Sequence, residues 1–159
     1  MDKITPCLWF DDEAEEAANF YMSLFKNSRI VSVSHYSDAG PRPAGMVMTV
    51  EFELDGRSFV ALNGGARPEL EFDYTVSFQI DCESQDEVDH YWYGLSEGGA
   101  ELPCGWVTDK FGVSWQVVPR VLIELVTHAD QGKAQRAMQA MLGMKRIDIE
   151  AIRTAAESG

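Results

Sequence analysis

From Met46 to Leu54 the side chains alternate strictly, with Met48, Val50, Phe52 and Leu54 on one side and Thr49, Glu51 and Glu53 on the other. A period of two marks a strand with one buried face. Asp55-Gly56 follows, a dipeptide suited to a tight hairpin turn, so Arg57 to Asn63 is predicted to return antiparallel and to end at Gly64-Gly65. Upstream, Ile4 to Phe10 reads as a short strand. Ala14, Ala17, Ala18, Tyr21, Leu24 and Phe25 then recur at three- and four-residue steps, which predicts a helix from Glu13 to Lys26 with Asp11-Asp12 at its start. Arg29 to Tyr36 alternates again as a strand, and the breaker-rich stretch Asp38 to Pro43 is a loop.

The same order restarts further on. Tyr74 to Cys82 reads as a strand, and Ser84-Gln85-Asp86-Glu87 is a capping box that opens a helix with the stripe Val88, Tyr91, Trp92 and Leu95, closed by Gly98-Gly99. Shorter strands are predicted at Gly105 to Thr108 and Val113 to Val118. Beyond Pro119 the chain reads helical, with Asp130 capping a helix that carries Ala134, Ala137, Met138, Met141 and Leu142, and Asp148 capping another. A methionine-rich stripe of this kind is expected in core or subunit packing. The fold class is therefore α+β: two βαβββ-like modules, one over about residues 1–66 and one over about 72–120, with a helical tail at 121–159, all in one domain.

Charge narrows the partners. The 159 residues carry a net charge of −13, a field that repels nucleic acid. No apolar run approaches the ~20 residues that cross a bilayer, and Met1 to Pro6 lacks the basic and apolar regions of a secretory signal, so a cytoplasmic protein is expected. Three cysteines, Cys7, Cys82 and Cys104, without a close pair, point to reduced thiols. Cys7 and Cys82 are expected on the helix-facing side of their strands.

The run Cys104-Gly105-Trp106-Val107-Thr108-Asp109-Lys110-Phe111-Gly112-Val113-Ser114-Trp115-Gln116-Val117-Val118-Pro119, the strand end Ala61-Leu62-Asn63-Gly64-Gly65, and Met144 to Ile149 together resemble the PhnB-like branch of the vicinal oxygen chelate superfamily, some of whose members carry a demethylubiquinone methyltransferase label. The resemblance implies paired modules whose curved mixed sheets form a cup for a small molecule, commonly in a homodimer. Metal-dependent relatives place a His, Glu or Gln on each of four strands. The corresponding positions here fall near Pro6, Ala61, Thr75 and Gln116, of which only Gln116 offers a donor, and one amide cannot hold a divalent ion.

Neither a metal nor a cofactor is therefore expected. The candidate ligand-binding residues are Glu51, Asn63, Thr75, Cys104, Trp106 and Gln116. Glu51 or Glu53 would serve as a base if burial raised its pKa, Cys104 as a thiol near the rim, and Trp106 as an aromatic wall, with core packing expected for three of the four tryptophans Trp9, Trp92, Trp106 and Trp115. Such a lining suits a neutral or weakly cationic molecule, unless Lys110 or Arg42 reverses the local charge. His35, His90 and His128 share no ligand spacing, and neither Asn63-Gly64-Gly65 nor Gly98-Gly99 forms a nucleotide-binding turn. Two alternatives stand beside small-molecule binding: an enzyme of the superfamily (lyase, dioxygenase or methyltransferase), and a structural or partner-binding dimer.

Overall fold

The computed structural model describes residues 2–159, which form two compact units divided between Glu71 and Phe72. The first runs β1 (Cys7–Phe10), α1 (Ala14–Leu24), β2 (Arg29–His35), β3 (Val47–Leu54), β4 (Arg57–Asn63). Its sheet has the order β1-β4-β3-β2, with β1 parallel to β4 and the other pairs antiparallel. Asp55 and Gly56 sit at φ 47° and 78°, the left-handed pair that the two-residue turn requires, and only the residue without a Cβ takes its place there without strain.

Helix α1 lies on one face of this sheet. Its small residues Ala14, Ala17 and Ala18 let the backbone approach closely, and Tyr21 stacks on Phe52 (centroids 6.5 Å apart), which stacks in turn on Phe59 (5.6 Å). Truncating a fully buried phenylalanine such as Phe52 costs about 3–5 kcal/mol. The helix is shorter than its apolar periodicity predicts. Glu13 makes no side-chain cap, and the first amide, that of Ala14, is taken instead by Asn63 Oδ1 at 2.8 Å, while Phe25 is already extended.

The second unit repeats the pattern: β5 (Ser77–Cys82), α2 (Gln85–Ser96), the two-residue β6 (Ala100–Glu101), β7 (Trp106–Thr108) and β8 (Ser114–Pro119), in the order β5-β8-β7-β6. Ser84 caps α2 through Glu87 N at 3.2 Å, and the Glu87 carboxylate returns to Glu83 N at 2.6 Å. Three tail helices follow, α3 (Arg120–Val126), α4 (Gln131–Leu142) and α5 (Ile149–Glu157), the latter two capped by Asp130 and Asp148.

The tail is part of this unit's core. Leu122, Ala137, Ile147, Ile152 and Ala156 cluster with Val118 of β8. Between α4 and α5 the chain is fastened by its backbone: Cys104 N and Gly105 N donate to Met144 O and Lys145 O, both at 2.8 Å, and the Gln85 amide donates to Ile147 O and accepts from Ile149 N. Arg146 pairs with Asp89 at 2.7 Å. The apolar stripe of α4 is divided, because Ala137 enters the cluster and Met141 packs against it whereas Met138 and Leu142 stay exposed.

Candidate functional site

Each sheet has one face covered by its helix and one turned away from it. In the first unit the register sorts the uncovered face into cross-strand rows. One row is Trp9, Leu62, Thr49, Ser34, and the next is Cys7, Val60, Glu51, Ser32. The half formed by β1 and β4 is apolar. The half formed by β2 and β3 satisfies its own polar groups, since Ser34 bonds Thr49, Ser32 donates to the Glu51 carboxylate at 2.8 Å, and Arg29 forks onto Glu53 at 2.8 and 3.0 Å. Glu51 and Glu53 both lie on this face, as partners in a cross-strand ladder.

The phase of two short segments differs from the sequence expectation. Cys7 is exposed on the uncovered face, not turned to the helix, because Leu8 and Phe10 are the buried pair of β1. Partial desolvation nevertheless raises its thiol pKa. Ala61 is fully buried against α1, so Val60 and Leu62 hold the neighbouring uncovered positions. Cys82 does face the helix, where burial first and the nearby Glu87 and Asp81 second push its thiol up to about 12.

Asn63 is buried with its hydrogen-bonding atoms occupied. Oδ1 accepts from Ala14 N, Nδ2 donates to Val47 O at 3.1 Å, and the backbone oxygen accepts from the Tyr36 hydroxyl at 2.7 Å. Arg42 is equally committed, to the backbone oxygen and carboxylate of Asp11. Trp9 rests on Gly64-Gly65: its Nε1 donates to Gly65 O at 2.9 Å, and a Cβ on Gly64 would collide with the indole ring. The Ala61-Leu62-Asn63-Gly64-Gly65 run is thus a joint between strand, helix start and indole.

In the second unit Phe78, Ile80, Cys82, Trp115 and Val117 face α2, and the other side carries Ser77, Gln79, Trp106, Thr108 and Gln116. Gln116 lies beside Trp106 on β7 and Gln79 on β5, and its Nε2 donates to Ser77 Oγ at 2.9 Å. Trp106 is half-buried and meets the ring of Tyr74 edge-on at 6.4 Å. Thr75 precedes β5 in an exposed turn anchored by its amide on Asp73. Cys104 occupies the left-handed backbone region at φ 63°, with its amide fastened to the tail. Of the six candidates, Trp106 and Gln116 stand together, Glu51 lies on the other unit's uncovered face, Asn63 is internal, and Thr75 and Cys104 sit off the strands. Of the other tryptophans, Trp92 and Trp115 are buried and Trp9 is 36% exposed.

The most specific motif holds a turn together. Asp109, buried between β7 and β8, accepts from Phe111 N (2.8 Å), Val113 N (3.1 Å) and Trp115 Nε1 (2.9 Å). The donors a metal-dependent relative would need do not fit here either. The uncovered positions of β1, β4, β5 and β8 offer the Cys7 thiol, the Ser58 hydroxyl, Ser77, Gln79 and Asp81, and Ser114 and Gln116. The one carboxylate in this set, that of Asp81, is held by Arg120, and among the described residues no three His, Cys, Asp or Glu groups gather to hold a metal ion. Among the described residues no helix is long and apolar enough to cross a membrane.

A PhnB protein from Bacillus cereus, also described as a 3-demethylubiquinone-9 3-methyltransferase, has a solved structure 37% identical in sequence, with a TM-score of 0.66 over 74% of this chain and 99% of that one. Two others share the fold: a Pseudomonas aeruginosa protein (23% identity, TM-score 0.62, 75% and 98% covered) and an Arabidopsis thaliana gene product (20%, 0.51, 73% and 97%). No curated protein matches significantly. The 3-demethylubiquinone-9 3-methyltransferase family model matches residues 2–118, which span both βαβββ modules and stop where the tail begins. With that match over most of its length and a PhnB relative at 37% identity, this chain belongs to the 3-demethylubiquinone-9 3-methyltransferase family, on its PhnB-like side.

Proposed function

We propose that this protein binds a small molecule with a flat ring on the uncovered faces of its sheets, without a metal ion, as a cytoplasmic homodimer. One observation carries the reading: each sheet is sealed by a helix on one side, and on the other presents a part-exposed tryptophan, Trp9 or Trp106, beside aliphatic or neutral hydrogen-bonding side chains. Stacking on an indole and bonding to a side-chain amide such as that of Gln116 suit an aromatic ligand. Glu51 stands by as a base should the ligand be a substrate.

Methyl transfer, the activity in the family's description, lacks support in the residues. A nucleotide-like methyl donor is ordinarily received by a glycine-rich turn from strand to helix. Here the β1–α1 connection is Asp11-Asp12-Glu13, and the glycine pairs follow β4 and α2 instead.

The test is a thermal-shift screen of ring-containing fragments on the full chain, since a compound that binds only the native state raises its apparent stability. Trp106→Phe should keep the fold and weaken hits that use the indole N–H. Hits unaffected by Trp106→Ala and by Trp9→Phe would remove the uncovered faces from the reading. Near-stoichiometric Zn, Ni, Fe or Mn in protein purified without chelator or affinity metal would overturn the metal-free part.

A further inference from the structure

The arginines around the first sheet differ in what holds them. Arg29 is forked onto Glu53, and Arg42 is tied to Asp11. Among the described residues no ion pair involves Arg67. It lies in the segment after Gly64-Gly65, exposed, with its guanidinium carbon 5.0 Å from the centroid of the Trp9 ring. Arg57, at the start of β4, is also outside these ion pairs, and what sets Arg67 apart is the ring it lies over. The indole beneath it is fixed, since Nε1 is held by Gly65 O and Gly64 leaves room only for the ring.

The surroundings of this corner divide by chemistry. Leu62 and Val60 continue the apolar surface from Trp9, and Thr49 and Ser34 complete the row. On the strand ladder Glu51 belongs to the next row, two residues along β3, roughly 7 Å farther on. The Asp11 carboxylate near Gly65 is paired with Arg42, and Glu69 and Glu71 in the same segment form no ion pair with Arg67. A ring placed against Trp9 thus has an aliphatic floor on one side and, on the other, a cation that no ion pair holds.

We propose that the Trp9–Arg67 corner selects an aromatic ligand bearing a carboxylate: the ring lies against the indole and the Leu62 side of the sheet, and the carboxylate pairs with Arg67. This rests on the small-molecule reading above and adds the ligand's charge. Neither of the cations expected from the sequence provides it, because Arg42 is bound internally and Lys110 lies over Phe111 in the second unit. The charge of −13 repels anions at long range, but salt screens that field beyond ~8 Å, whereas a planar guanidinium pairing with a carboxylate acts at contact.

The experiment follows the Trp9 indole N–H of the full chain in ¹H–¹⁵N spectra, assigned by its loss in Trp9→Phe, during titration with benzoate and with its neutral counterpart benzamide. Benzoate should shift that signal and bind at least fivefold more tightly than benzamide, and Arg67→Gln should erase the preference while the other indole signals stay in place. Equal affinities, a benzamide preference, or a benzoate preference that survives Arg67→Gln overturns the inference and leaves the broader binding reading standing. No shift of Trp9 with either probe also overturns it, and the fragment screen then decides the broader reading by itself.

Discussion

Replacing Asp109 tests whether the family's most specific sequence run is built for folding. Its carboxylate holds three N–H groups, of which those of Val113 and Trp115 are buried. Hydrogen bonds to a charged group contribute about 1.5–3 kcal/mol each, and a buried donor left without a partner costs about 1–3 kcal/mol. Asp109→Ala strands both buried donors, so a loss of about 3–6 kcal/mol is expected, a large part of the ~5–15 kcal/mol that holds a domain folded. Asp109→Asn is the sharper variant. The amide can keep its oxygen toward Phe111 and Val113, but its NH₂ then faces the Trp115 indole N–H, donor against donor. Trp115→Phe removes that conflict. In urea unfolding followed by circular dichroism, Asp109→Asn should cost about 1–2 kcal/mol less in the Trp115→Phe background than in the parent, a coupling of ordinary size for residues in one network. An equal cost in both backgrounds would refute the claim that the carboxylate holds the indole.

Gln85→Ala should destabilise by about 1–3 kcal/mol, since it strands the Ile147 oxygen and the Ile149 amide, and hydrogen exchange should accelerate first at the start of α5. In the native protein a maleimide should label Cys7, more slowly than a free thiol, and leave Cys82 untouched until urea is added. Because the folded Cys82 thiol is raised, its contribution is complete below the ordinary thiol pKa of ~8.5 and fades as pH rises toward about 12, so the urea midpoint should fall over that range less steeply in Cys82→Ala than in the parent. The Lys133 backbone N–H, then that of Gly132 and the charges of Arg136 and Lys133, hold the Asp130 carboxyl below the ordinary aspartate value. A depressed pKa gives stability that is present above that value and lost on acidification, so protection of α4 amides should drop below pH ~4 in the parent and change little in Asp130→Ala.

The elements that could be anticipated from the chain are those whose signals are local. Asp55-Gly56, the Ser84 capping box, and the alternation of β3 each act within a few residues and appear where expected. The misplacements arise where local signals are silent. In β1 the residues Cys7, Leu8, Trp9 and Phe10 are all apolar, and Phe59 to Leu62 in β4 likewise, so nothing in the alternation says which face each takes. A shift of one residue then exchanges the faces, as it did for Cys7 and Ala61. The occupation of Asn63 by Ala14, Val47 and Tyr36 depends on three segments far apart in sequence. Arg67 carried no pattern at all, because its meaning comes from a tryptophan 58 positions earlier.

The tail fastened onto the second unit has a consequence for how the protein is made. Val118 is synthesised well before its partners Ile147, Ile152 and Ala156, and the ~40 intervening residues take roughly 2–8 s at ribosomal rates of ~5–20 residues per second. During that interval the nascent chain carries β8 with one side of its cluster bare and the backbone donors of Cys104 and Gly105 without their acceptors, while the first unit already has every strand of its own sheet. The second unit is therefore the half that a chaperone would meet, and slowing translation over residues 120–156 should prolong that exposure at a time when every strand of residues 2–71 has already been made.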